Sequence, residues 1–143
     1  MSSHDKPLPP FDVSDPAGID DMLTQEEKDV RSSVRQLVEQ VATPYVADWF
    51  ERGTIDDPRA LMKSFGEMGL LGMYLAGYGC AGMSAVDYGL ACIELEACDS
   101  GIRSMVSVQG SLAMFAIWRF GTEDQKQQWL PGMAAGELIG CFG

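Results

Sequence analysis

The sequence predicts an all-α domain with the start of a single β-strand at its C-terminal end. Three observations point there. Capping boxes stand at Thr24-Gln-Glu-Glu27 and Thr122-Glu-Asp-Gln125, where a side chain at each end satisfies the other's backbone donor. Apolar residues recur at helical spacing through most of the chain. No clear alternating pattern precedes the short run Leu138-Ile-Gly-Cys-Phe142, which alone reads as a strand.

Residues 1–20 are a Pro- and Asp-rich lead-in, in which Pro7, Pro9, Pro10 and Pro16 oppose regular structure. An irregular arm is expected, packed through Phe11. After Thr24, the residues Val30, Val34, Leu37, Val38, Val41 and Tyr45 make one apolar stripe between charges, and Pro44 should break or kink that helix. A second helical stretch runs through Phe50. Asp57-Pro58 reads as an N-cap followed by proline in the first turn. Leu61, Met62, Phe65 and Met68 supply the apolar face, and Gly69 is placed as a left-handed stop. Gly77 to Ser84 is a glycine-rich loop, and Ser84-Ala-Val-Asp87 opens a helix that reaches about Cys98. Asp99-Ser100-Gly101 reads as a turn and cap. Ile102 to Phe120 is apolar nearly all round, so this helix should be buried on several sides. Gly121-Thr122 ends it, and a short helix follows that stops before Pro131. The expected layout is an arm over 1–20, a helical domain over 21–137 and a strand over 138–143.

Ten Lys and Arg against 21 Asp and Glu give a net charge of −11. That balance argues against nucleic acid and against an anionic membrane surface, both of which select for cations. The acidity reads as a solvated surface. Cys80, Cys92, Cys98 and Cys141 have no metal-knuckle or redox spacing, and one His4 cannot complete a site, so buried free thiols are expected. Met1-Ser-Ser-His-Asp has no apolar or Arg-rich signal character, and Arg103, Gln109 and Arg119 interrupt the apolar stretches, so neither a targeting peptide nor a membrane span is expected and a cytoplasmic protein is.

Two stretches carry candidate chemistry. Gly77, Gly79 and Gly82 could cradle a phosphate, but no strand precedes them and no acidic ribose ligand follows, so a structural turn is the preferred reading. The second stretch is Glu94-Leu-Glu96 with Asp99-Ser-Gly-Ile-Arg-Ser104, Ser107 and Ser111. Arg103 lies near the start of an otherwise apolar helix, where the dipole opposes a cation by roughly 0.3–1 kcal/mol. Burial beside Met105, Val106 and Val108 adds a desolvation cost. Something anionic should answer it. Either Asp99 or Glu96 folds back across the turn, or a ligand carboxylate sits between the guanidinium and the helix start. Ser104 and Ser107 could complete a small polar pocket. Trp49, Trp118, Trp129 and the nine methionines read as packing.

The run Met68-Gly-Leu-Leu-Gly72, the loop Gly77–Ser84, Phe120-Gly-Thr-Glu-Asp-Gln-Lys126 and Trp129 through Gly143 together resemble the acyl-CoA dehydrogenases. The resemblance covers nearly the whole chain from about Phe11. Glu94-Leu-Glu96, Asp99 to Ser104 and Ser107-Val-Gln109 are similar to the glutaryl-CoA dehydrogenase branch. The resemblance implies that Arg103 and Ser104 contact the substrate's distal carboxylate, with Ser107 near the pocket and Glu96 as a charged neighbour. It implies an N-terminal helical domain, a middle β-domain and a C-terminal helical bundle. It also implies FAD, an acyl-CoA substrate, an electron-transfer flavoprotein or similar acceptor, and a homotetramer. Of the flavin segment only Phe142 and Gly143 are present, and the resemblance assigns the catalytic glutamate to a later part. The chain is therefore expected to be an N-terminal fragment, inactive and without firmly held FAD. Two alternatives stand beside this one: a dehydrogenase for another short-chain acyl-CoA, and a non-catalytic helical interaction module derived from the family.

Overall fold

The computed structural model describes residues 13, 15–141 and 143. The expected contact of Phe11 lies outside the described residues. Asp15 accepts the backbone N–H groups of Ile19 and Asp20 at 2.9 Å, which opens a 3₁₀ turn over Ile19–Met22. This turn straddles residue 21, where the arm was expected to give way to the helical domain.

The helix starts fall where the caps place them. α1 spans Gln25–Val41 behind the Thr24–Glu27 capping box. It ends before Pro44, and α2 resumes at Val46–Arg52. α3 spans Pro58–Glu67, with the Asp57 side chain accepting the Ala60 N–H at 2.9 Å. Gly69 follows with φ +79°, the left-handed conformation that glycine reaches without strain. α4 spans Ala85–Cys98 behind a Ser84–Asp87 capping box. A single extended residue, Asp99, ends α4 and caps α5 (Ser100–Ser107) through the Ile102 N–H. The expected turn at 99–101 is thus one residue long.

The apolar run to Phe120 is continuous but not uniformly α. A π-helical stretch over Val108–Met114 separates α5 from α6 (Phe115–Phe120). Its wider turns carry Gln109 and Gly110, both buried. α7 spans Glu123–Ala134 and runs through Pro131. The helix does not stop before the proline as expected. Leu130, Met133 and Ala134 are all buried, and burying large apolar side chains at ~1.5–3 kcal/mol each offsets one lost helical bond.

The core joins Val34 and Val38 of α1, Met62 and Phe65 of α3, Leu95 of α4, Val106 of α5 and Leu130 of α7. α4 is the centre, packed on α1 at one side and on α5 at the other. α3 meets the end of α7 backbone to backbone, because Gly66 and Gly136 have no side chains to hold them apart. Among the described residues no helix is long and apolar enough to cross a membrane.

The expected C-terminal strand is absent from the described residues. The strands found there are β1 (Ala76–Gly77) and β2 (Cys80–Ala81), a two-residue antiparallel hairpin. Leu138–Cys141 form no ladder, since no neighbouring strand offers one. The expected burial of the thiols is also corrected. Cys80, Cys92 and Cys98 are half-buried and Cys141, on the unpaired terminal segment, is exposed.

Candidate functional site

The glycine-rich loop is a tight turn. Tyr78 and Gly79 both have positive φ (55° and 84°), the pair of left-handed residues a two-residue hairpin of this twist requires. Tyr78 is an unusual residue in that position, and its hydroxyl donates to Glu123 at the start of α7 at 2.9 Å. Trp118 Nε1 donates to the Ala76 carbonyl at 3.0 Å. The hairpin is thereby fastened to the α6–α7 corner, in keeping with a structural role.

Arg103 has found its internal partner. Its Nε donates to Glu96 Oε2 at 2.6 Å across the α4–α5 junction, and Nη1 donates to Ser107 Oγ at 3.0 Å. Ser100 Oγ donates to the other carboxylate oxygen at 2.5 Å. The hydrogen bond from Arg103, then that from Ser100, holds the Glu96 carboxyl below the usual range, and Glu96 in turn raises Arg103. Asp99, the other sequence candidate, is taken up by its cap. The pair is reachable: Arg103 is 34 % exposed and Glu96 47 % exposed, so an incoming carboxylate could displace Glu96 without opening the core. Ser107 faces the guanidinium as its helical spacing requires. Ser104 is brought only to the edge of this group, where its carbonyl lies 3.3 Å from Ser107 Oγ.

The same seam continues along the two helices. Tyr88 and Cys92 precede Glu96 at four-residue intervals, and Ser111 follows Ser107 likewise. Tyr88 and Ser111 share a hydrogen bond of 3.0 Å. Burial pushes the Tyr88 hydroxyl up to about 12. A strip of polar groups thus runs between α4 and the long helix, with the one cation, Arg103, at its α5 end.

Three polar groups received no individual role from the sequence, although Glu94 and Gln109 fall within stretches already named. Glu94, 7 % exposed, binds Arg35 of α1 with both oxygens. Arg31 pairs with Asp20. Gln109, 1 % exposed, holds the terminal segment: Nε2 donates to the Met133 and Leu138 carbonyls, and Oε1 accepts the Gly140 N–H. A lone amide in an otherwise apolar helix was the available signal for Gln109, and a carboxylate on the apolar side of α4 was that for Glu94.

At the chain's end, Ala113, Ile117, Phe120, Trp129, Met133 and Ile139 line an apolar groove of about 630 Å³, and Cys141 stands at its rim. Gly143 is exposed with open space around it. Phe142 lies outside the described residues.

Residues 24–137 match the family described as acyl-CoA dehydrogenase, N-terminal domain. The fold is similar to that of glutaryl-CoA dehydrogenase from Mycobacterium smegmatis, at 60 % identity and a TM-score of 0.85 over 88 % of this chain and 32 % of that one. A structure of a glutaryl-CoA dehydrogenase from the same organism in complex with FADH2 matches at 58 % identity and the same TM-score, again over 88 % and 32 %. A short-chain-specific acyl-CoA dehydrogenase of Clostridium acetobutylicum is 34 % identical over 85 % of this chain and 32 % of its own length. The chain therefore spans about a third of the length of the relatives it matches.

Proposed function

Because the chain belongs to the acyl-CoA dehydrogenase N-terminal domain family, we propose that it supplies the substrate-carboxylate end of an FAD-dependent glutaryl-CoA dehydrogenase. One observation carries the choice of branch. Identity to the Mycobacterium smegmatis glutaryl-CoA enzyme is 60 %, against 34 % to the short-chain enzyme over a similar stretch.

The reaction oxidises glutaryl-CoA and releases CO₂, leaving crotonyl-CoA. In this reading Arg103 receives the far carboxylate of the dicarboxylic acyl group, and Ser104 and Ser107 border it. Glu96 occupies the guanidinium until the substrate arrives. An anion is favoured there twice, by the guanidinium and by the start of α5. A neutral acyl tail would gain nothing from either.

FAD, when bound, supplies hydride acceptance. Past Gly140 the residues Cys141 and Gly143 are exposed, which leaves this end of the chain open to such a group. Phe142 and Gly143 would be the contacts from this chain. By the family resemblance, the remaining flavin contacts and the glutamate base would lie outside residues 1–143. These 143 residues alone neither turn over substrate nor hold FAD firmly. The complete protein transfers electrons to an electron-transfer flavoprotein or similar acceptor and works as a homotetramer.

The test is to supply the complete protein with glutaryl-CoA and a dye acceptor and to follow crotonyl-CoA and CO₂. Crotonyl-CoA from glutaryl-CoA is expected. Activity confined to butyryl-CoA would move the assignment to the short-chain branch.

A further inference from the structure

We infer that Gln109 is a positioning residue whose side-chain amide replaces a strand partner and aims the chain from Leu138 into the flavin contacts that follow. The inference rests on the flavin-dependent reading above.

Gln109 is 1 % exposed in an apolar setting. Its Nε2 donates to the Leu138 carbonyl at 2.7 Å and to the Met133 carbonyl at 3.0 Å. Its Oε1 accepts the Gly140 N–H at 2.8 Å. Donating to one carbonyl and accepting the N–H two residues on is what a residue of an adjacent strand would do. The amide orientation is forced, because the flipped one would set Oε1 against two carbonyl oxygens. This is also why Leu138–Cys141 need no ladder of their own on this side.

Both halves of the clamp are sterically set. A Cβ at Gly140 would stand 2.7 Å from Ala113 Cβ and from the Met133 methyl, so only glycine lets the main chain reach the amide. On the helix side, a Cβ at Gly110 would stand 3.0 Å from the Gly72 nitrogen. The π turn carrying Gln109 is thus seated directly on the backbone of the preceding loop. Ser107, the acceptor of Arg103, lies two residues before Gln109. The carboxylate pocket and the exit segment are therefore held by neighbouring turns of one helix.

The experiment uses the complete protein with Gln109→Leu and Gln109→Glu. Three quantities are read: hydrogen exchange at the Gly140 amide, the FAD dissociation constant, and the far-UV melt. Leu keeps bulk and removes all three hydrogen bonds. Gly140 exchange should accelerate by about tenfold or more, and FAD should bind about tenfold more weakly, with a cooperative helical melt retained. In Gln109→Glu a protonated carboxyl both donates and accepts. FAD affinity should approach the parent's in acid and fall as the carboxyl ionises. Unchanged Gly140 exchange in Gln109→Leu would overturn the clamp, whether or not flavin is present. Faster exchange with undiminished FAD affinity would overturn the positioning role. If Gln109→Leu fails to fold, an FAD affinity of Gln109→Glu that is flat with pH overturns it instead. A parent protein that holds no flavin sinks the proposed function and, with it, the flavin half of this inference, while Gly140 exchange still decides the clamp.

Discussion

Glu94 of α4 grips Arg35 of α1 with both carboxylate oxygens, at 2.8 Å to Nε and 2.7 Å to Nη2. The two partners differ in burial: Glu94 is 7 % exposed and the Arg35 side chain 47 %. Arg31 Nε, buried without a hydrogen-bond partner, lies 3.9 Å from the same carboxylate. The asymmetry decides which substitution hurts more. Arg35→Ala leaves a buried carboxylate short of its main partner and should cost about 2 kcal/mol, whereas Glu94→Gln leaves a half-exposed guanidinium free to hydrate and should cost about 1 kcal/mol or less. Urea denaturation of the two variants checks the order, and equal losses would contradict it.

Gly66 and Gly136 let α3 and the end of α7 touch without side chains between them. A methyl group on Gly66 would stand 2.5 Å from the Ala135 carbonyl carbon and oxygen. One on Gly136 would run into the Met62 carbonyl, and Gly136 has φ +74° besides. Neither obstacle is the movable tip of a side chain. Either alanine substitution should destabilise by about 3 kcal/mol through overpacking, with Gly136→Ala the worse because strain is added. Alanine at Gly53, which also has positive φ but open space around it, should cost only about 1 kcal/mol. Thermal melts of the three variants give the ranking.

Acid should loosen the surface pairs. Hydrogen bonds from Arg31 lower Asp20, those from Trp49 and Arg52 lower Asp56, and those from Arg103 and Ser100 lower Glu96. Each folded pKa lies below its unfolded value, 3.8 for Asp and 4.5 for Glu. Their contribution is therefore complete above the unfolded values and disappears as pH falls through the folded ones. Stability should be flat near neutrality and decline on acidification below about pH 4.5. Glu96→Gln should decline less steeply than the parent, and high salt should flatten both. A parallel decline would show that the Glu96–Arg103 pair adds nothing to the fold.

Helix starts were legible because a capping box is local: Thr24 with Glu27, and Thr122 with Gln125, declare themselves within four residues. The same holds for Asp57-Pro58 and for Pro44. What depended on distant packing was not legible. Pro131 reads as a stop until Leu130 and Met133 are seen buried on either side of it. The strand at Leu138 looks complete until its inward edge is found bonded to a glutamine 29 residues earlier. At the candidate site, Arg103's need for an anion followed from its place on α5. The choice between Glu96 and Asp99 did not, because it turns on Asp99 being consumed as a cap. Arg35 could not be matched to Glu94 across 59 residues by spacing alone.

The proposed preference for a dicarboxylic acyl group can be tested at Arg103. In the complete enzyme, Arg103→Gln removes the charge that would meet the distal carboxylate and keeps only a shorter, neutral amide donor. Hydrogen bonds to a charged partner contribute ~1.5–3 kcal/mol, so kcat/KM for glutaryl-CoA should fall by about 10- to 100-fold. Butyryl-CoA, whose tail ends in a methyl group, should lose little. Glu96→Gln should act in the opposite sense on binding, because a carboxylate that competes for the guanidinium is gone. Its glutaryl-CoA KM should drop or hold while the butyryl-CoA KM stays put. Steady-state kinetics of both variants with both substrates separates the roles. Equal losses for the two substrates in Arg103→Gln would make Arg103 and Glu96 a pair that only ties α4 to α5.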